Sequence, residues 1–294
     1  MEKTGAVSTY VLGQGLDHAS GRVHSVFGTS LNIEANGFLL HVGSVASPLS
    51  CLGVALPEQT MSELLGVAHV GDLVAFRPSA FRVYARARVV RVELDQLRRV
   101  STEVPVVGES WSREALEAAV DPEELAGGIG LAPSADLAAA LEALSQVALG
   151  GDAAGLDRAV AFLMGRGLGL TPSGDDILAG FGTALRARGL AGRFDGQGVA
   201  AQAASRTTSV SAAYLRAMAD GYANEDYVDL VRGLGTTDAG ACRGAVAHIL
   251  AVGHTSGHDS LLGFVAGMGL LDHLGERLGA RAGRACSRGR IAAK

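Results

Sequence analysis

Cysteine is scarce and poorly placed for crosslinking. Cys51, Cys242 and Cys286 form an odd, widely spaced set with no Cys-x-x-Cys pair, which excludes a disulfide framework and a zinc knuckle and fits a reducing cytoplasm. Basic runs are missing as well. The formal net charge is -5, and no cluster of Lys and Arg could track a nucleic-acid backbone. Nor is there an uninterrupted lipid-spanning segment: the most apolar stretch, 245 to 271, is broken by His248, His254, His258 and Asp259. The opening "MEKTGAVSTYVLGQGLDHAS" has no continuous apolar core of a signal peptide. The expectation is a cytoplasmic protein with neither a nucleic-acid nor a membrane partner.

What is present is ample for globular folding. The 294 residues are 48% hydrophobic and 19% charged, which excludes general disorder and leaves room for one large domain or two ordinary ones. Up to about residue 100 the pattern favours strands: "GRVHSVFGTSLNIEA", "GFLLHVGS", "CLGVALP" and "GDLVAFRP" are short and divided by Gly, Asn, Ser and Pro. "FRVYARARVVRVEL" alternates Val83, Ala85, Ala87 and Val89 with Arg82, Tyr84, Arg86 and Arg88, the period of one half-buried antiparallel strand. Beyond "ESWSREALEAAV" the chain turns to Ala, Leu and Gly at helical spacing. Helices are expected at about 112 to 120, 134 to 149, 153 to 163, 174 to 188, 197 to 220, 238 to 252 and 258 to 276. The predicted fold is α+β: an antiparallel β barrel or sandwich over 1–110, then an α-helical domain over 111–294 carrying the ligand site.

The chemistry concentrates in "GRGLGLTPSGDDILAGFGTALRA", residues 165 to 187. "GHTSGHDSLLGFVAGMGLL", starting at Gly253, repeats its outline. Ser173-Gly174-x-Asp176-x-Leu178-x-Gly180-Phe181 aligns without a gap on Ser256-Gly257-x-Asp259-x-Leu261-x-Gly263-Phe264. A purely structural reading takes Ser173 with Asp176, and Ser256 with Asp259, as capping boxes. It leaves the glycines unexplained. Gly174 and Gly257 would sit at the first helical position, where a bare backbone lets a ligand approach the first-turn amides. Gly180 and Gly263 lie one turn below the acids, where two helices could approach closely. The resulting picture is a pseudo-symmetric helix pair packed through Gly180 and Gly263, with both N-termini opening on one pocket. Asp175 and Asp176 beside an anion-attracting helix end suit a ligand with an anionic end and an amide NH₂ end, or a divalent metal bridging the acids to a phosphate.

Weaker signals surround this pair. "GRGLG" lacks the preceding strand and spacing of a dinucleotide-binding turn. His254 and His258 have the i, i+4 spacing of metal ligands, although the start of the second helix would leave His254 outside it. Arg206, Thr207, Thr208 and Ser209 stand just ahead of another helix, where Arg206 could clamp a carboxylate or phosphate. "GLAPSADLAAAL" partly echoes the Thr-Pro-Ser stretch but reads as an Ala-rich coincidence.

"GLGLTPSGDDILAGF", "RTTSVSAAYLRAMADG" and "GHTSGHDSLLGF" resemble the signatures of the AllH-type proteins, clearly over about 165 to 267 and more loosely over the β-rich half. Leu168 and Ile177 stand where that family often carries Pro and Phe. The resemblance implies a subunit of oxamate carbamoyltransferase, acting with FdrA-type and AllG-type subunits to interconvert oxalurate plus phosphate with oxamate plus carbamoyl phosphate. On that reading Asp175 and Asp176 are catalytic. Thr171, Ser173, Gly174, Arg206, Thr207, Thr208, His254, Thr255, Ser256, Gly257 and Asp259 bind substrate. No metal or other cofactor is required. The alternatives are a metal-dependent amide hydrolase built on Asp175, Asp176, His254, His258 and Asp259, and a non-catalytic anion-binding scaffold.

Overall fold

Short apolar runs with polar partners on alternate residues build the first part of the chain. In the computed structural model, which describes residues 4–271, these are β1 (Ala6–Ser8), α1 (Thr9–Leu12), β2 (Ser20–Val26), β3 (Leu31–Ala35), β4 (Phe38–Ser44), β5 (Gly53–Leu56), α2 (Glu58–Leu65), β6 (Leu73–Arg77), β7 (Ala80–Tyr84), β8 (Val89–Glu93) and β9 (Arg98–Val100). The strands form one curled, half-barrel sheet in the order β8-β7-β6-β2-β3-β4-β5-β1-β9. Its pairs are antiparallel except β4–β5 and β1–β9, so the sheet is mixed where an all-antiparallel one was expected. The segment expected as one strand over 81–94 is the β7–β8 hairpin, with Tyr84 opposite Val89. Residues 85–88 reverse the chain, which moves the buried set to Val90 and Val92 and leaves Val89 exposed.

One face of this sheet buries Leu31, Ile33, Leu40, Val42 and Val54 together with Met61 and Leu64 of α2. Phe76 and Phe81 stack at 5.7 Å between centroids in the same unit. A later segment belongs here too, since residues up to Glu103 and Tyr222–Val228 form one compact unit. Glu225 holds its place there by accepting the Leu49 N–H at 3.1 Å, and Asn224 accepts that of Cys51 at 3.0 Å.

The second compact unit, Val104–Gly221 with, among the described residues, Asp229–Leu271, is helical. Its helices are α3 (Arg113–Ala119), α4 (Pro122–Gly127), α5 (Ala135–Ala148), α6 (Leu156–Leu163), α7 (Ser173–Ala187), α8 (Gly196–Arg206), α9 (Ser209–Ala219), α10 (Glu225–Thr236, begun in the first unit), α11 (Ala239–Leu250) and α12 (Ser256–Gly267). The helix expected over 197–220 is two, because Thr207 is extended and Thr208 caps α9 through the Ser211 N–H. α4 and α10 were not anticipated, and the part of the last expected helix beyond 271 lies outside the described residues, as does Cys286. No described helix is long and apolar enough to cross a membrane.

The unit is organised around α7 and α12. A Cβ on Gly180 would overlap the carbonyl of Ser260, and one on Gly263 would overlap the carbonyl of Ile177, the equivalent position one repeat earlier. The expected close packing through these two glycines is therefore present, and it is reciprocal. Gly267 extends the stripe, its Cβ position lying 2.6 Å from Ala184 Cβ. Phe181 and Phe264, the next residues after the two glycines, are fully buried.

Gly180→Ala and Gly263→Ala should each lower stability by at least the roughly 1–3 kcal/mol typical of overpacking, because the helices must separate to admit the methyl group. Gly244→Ala in α11, where a Cβ meets open space, should leave stability unchanged or raise it by up to about 1 kcal/mol. Urea unfolding of the three variants gives the comparison. Equal stabilities would refute the backbone contact.

Candidate functional site

The helix starts differ from the capping-box expectation by one residue. Pro172 and Thr255 occupy the N-cap positions of α7 and α12, and neither helix has a side-chain cap bond. Ser173 and Ser256 are the first helical residues, Gly174 and Gly257 the second, and Asp176 and Asp259 the fourth. Serine caps form elsewhere, at Ser112 of α3 and at Ser134 of the "GLAPS" stretch, which accepts the Leu137 N–H at 3.1 Å.

Gly174 and Gly257 have a packing reason to be bare. A Cβ on Gly174 would overlap the Leu163 carbonyl, and one on Gly257 the Ile249 carbonyl. Their amides are also occupied: Gly174 N–H donates to Arg166 O at 2.8 Å and Gly257 N–H to Val252 O at 3.1 Å. The expected open approach of a ligand to those two amides gives way to contact with the preceding turns.

With the capping box gone, the serines and acids pair across the two helices. The hydroxyls of Ser256 and Thr171 lie toward the Asp176 carboxyl and favour its charged form, while those of Ser173 and Thr255 do the same for Asp259. Each acid thus takes one serine from the partner helix and one threonine from the turn ahead of its own. Thr171 and Ser256 are themselves linked at 2.8 Å. Asp259 additionally accepts the Gly130 N–H at 2.9 Å. Burial, then the charges of Asp259 and Asp175, hold the Asp176 carboxyl well above its ordinary range, against the two hydroxyls. Burial also raises Asp259, opposed by Gly130, Ser173, Thr255 and the charge of His258. The Oδ2 atom of each acid is buried without a hydrogen-bond partner, a costly state that marks both as candidates for chemistry.

Asp175, adjacent in sequence, is turned elsewhere. It is buried, accepts the Gly165 N–H on Oδ1 at 2.8 Å and takes the Thr207 hydroxyl on Oδ2. It ties the turn before α7 to the α8–α9 junction. Thr208 is bonded to the Leu170 carbonyl. Arg206 reaches Gln202 at 2.9 Å and the Ala161 carbonyl at 3.1 Å. His254 is exposed, whereas His258 packs beneath Gly128 with a buried, unpartnered Nδ1. The structure therefore brings together Thr171, Ser173, Asp176, Thr255, Ser256 and Asp259. Among the described residues no group of three or more His, Cys, Asp or Glu is placed to hold a metal ion.

Sequence reasoning missed the loop after α4. Gly130 lies over the cluster, its Cβ position overlapping Ser173 Oγ and lying 2.8 Å from Thr255 Oγ1 and 3.0 Å from Asp259 Oδ2. The only signal was the glycine run 127, 128 and 130, far in sequence from either repeat.

The neighbouring acids should respond to neutralisation with opposite signs. Asp175→Asn can keep the Gly165 N–H on its amide oxygen and turn its NH₂ to the Thr207 hydroxyl, but it exchanges charge-assisted hydrogen bonds for neutral ones and should lower stability by about 1–2 kcal/mol. Asp176 has a raised folded value, so its favourable contribution exists below the unfolded carboxylate value, about 3.9, and is lost as pH rises toward the folded value. Asp176→Asn should therefore melt above wild type at neutral pH and show no such gain near pH 4. Melting temperatures of both variants across that range decide the assignment.

No solved structure matches the chain. A family model does, and its span runs from the end of α6 to the end of α12. Residues 163–268, which carry both acids and all four hydroxyls of the cluster, match the family described as oxamate carbamoyltransferase subunit AllH.

Proposed function

We propose that this chain is a subunit of an oxamate-type carbamoyltransferase and carries the transfer chemistry on α7 and α12. The reaction interconverts oxalurate plus phosphate with oxamate plus carbamoyl phosphate, in the cytoplasm and in complex with FdrA-type and AllG-type partner chains. One observation carries the reading: two carboxyls amid hydroxyls at paired helix N-termini, each with a buried oxygen lacking a partner. Oxamate, oxalurate and carbamoyl phosphate each join an anionic group to an amide NH₂. Carboxyl oxygens accept from the amide, while hydroxyls and the positive helix ends favour the anion.

In the synthetic direction the oxamate nitrogen attacks the carbamoyl carbon, the C–O bond to phosphate breaks, and a carboxylate takes the proton released from nitrogen. Asp176 is our candidate for that step, supported by its half-buried position and by a buried Oδ2 that has no hydrogen-bond partner. Asp175, its two oxygens engaged, positions the turn that presents Thr171. No covalent nucleophile is needed, because fixing the two reactants supplies much of the rate.

The complex reconstituted with its partner chains should form carbamoyl phosphate from oxalurate only when phosphate is present. Asp176→Asn should slow it by about 10² to 10⁴ fold. A wild-type complex that binds no oxamate and releases no carbamoyl phosphate would remove this function.

A further inference from the structure

The reaction carries one proton from the attacking oxygen to the departing nitrogen, and two carboxyls in one cluster can serve both ends in the same step. In phosphorolysis the oxygen of HPO₄²⁻ attacks the ureido carbon, the C–N bond breaks, and the electron pair goes to nitrogen. The proton carried by phosphate must end on the departing amide. Two acceptor sites on one proton-sharing unit meet that demand, one to take the proton at oxygen and one to release another at nitrogen.

The paired helices supply such a unit. Asp259 is 0% exposed, its Oδ1 accepts the Gly130 N–H, and its Oδ2 is left unpartnered beside the cluster. Asp176 is its pseudo-symmetric equivalent, also with a free buried Oδ2. The surroundings of the two differ. Asp176 has only hydroxyl donors and lies among the charges of Asp175 and Asp259, whereas Asp259 has a backbone N–H, two hydroxyls and the adjacent His258. The two nearby arginines are engaged elsewhere: Arg166 lies over the Phe162 ring and bonds the Phe162 carbonyl, and Arg206 bonds Gln202 and the Ala161 carbonyl.

We propose, building on the carbamoyl-transfer reading, that Asp176 and Asp259 hold one proton between them and exchange it once per turnover. Asp176 carries it at rest and delivers it to the departing nitrogen. Asp259, as carboxylate, takes the phosphate proton through the hydroxyl of Thr255, a half-buried residue. The pair ends each phosphorolysis with its proton on the other side, and return of that proton to Asp176 resets it. Atoms and charge balance without a further acid or base. Two like carboxyls held close in a buried site titrate as a pair, the second proton leaving far less readily than the first.

Carboxyl ¹³C NMR of the aspartates in the intact chain tests the pairing without any turnover. The Asp176 signal, assigned by Asp176→Asn, should be that of a neutral acid at pH 7, and in Asp259→Asn its titration should move to lower pH. Two carboxyls titrating independently in the ordinary range would overturn the proposal, and this measurement on wild type needs no variant beyond those used for assignment.

In the reconstituted complex, Asp176→Asn, Asp259→Asn and the double variant should show similar losses, about 10² to 10⁴ fold, as groups acting as one unit do. The wild-type rate profile should be bell-shaped, and Thr255→Val should slow phosphorolysis with little change in oxalurate KM. Near-normal turnover of Asp259→Asn, or losses that multiply in the double variant, would overturn it. If the wild-type complex gave no transfer at all, the assigned reaction would fail while the NMR titration still decided the pair.

Discussion

The close approach of α7 to α12 is the constraint from which the site follows. Gly180 faces the Ser260 carbonyl and Gly263 faces the Ile177 carbonyl, so each helix sets its glycine against the other's backbone at equivalent places. This reciprocity fixes the axial register of the pair. Because the acids lie four residues before the glycines, the same register brings Asp176 and Asp259 to one end. It also brings Ser256 to Asp176 and Ser173 to Asp259. A side chain at either glycine would break both the packing and the exchange of hydroxyls, so fold and chemistry share one contact.

The repeat makes that contact legible in the amino-acid sequence. Two acids and two glycines at identical spacing, each glycine one helical turn beyond its acid, require a paired arrangement, and the glycines have no other evident use. The capping reading failed for an equally local reason. Pro172 and Thr255 start the helices one residue early, which places the acids at the fourth helical position and frees the serines to cross to the partner. The choice between a serine that caps its own helix and one that bonds across depends on where the preceding turn enters. That entry is set by contacts of Gly174 with Leu163 and of Gly257 with Ile249, made through glycines that have no side chain to announce them.

Other features were legible only in part. Alternation over 81–94 correctly signalled strand but hid the reversal at 85–88, because Ala85, Arg86, Ala87 and Arg88 continue the period of two while the backbone turns. The Thr207–Thr208 break looked like a helix interior in an Ala-rich window, although both hydroxyls face acceptors from outside it. Gly130 depends on contacts with Ser173, Thr255 and Asp259, all distant along the chain, which no local pattern contains. The placement of 222–228 on the β unit is of the same kind, since Asn224 and Glu225 act there through bonds to Leu49 and Cys51.

Near-symmetry is useful here because it is incomplete. Position 175 of the first repeat and position 258 of the second are equivalent by the alignment, and one is Asp while the other is His. Asp175 spends both oxygens on Gly165 and Thr207, which holds a negative charge beside Asp176. His258 packs beneath Gly128 and lowers the cost of charge on Asp259, and Gly130 adds an N–H that Asp176 does not receive. A perfectly duplicated pair would leave a shared proton with no preferred residence. On the proposed sharing, these differences at equivalent positions would seat the proton on Asp176 and the charge on Asp259, since Asp175 adds to the rise at the one while Gly130 and His258 oppose it at the other.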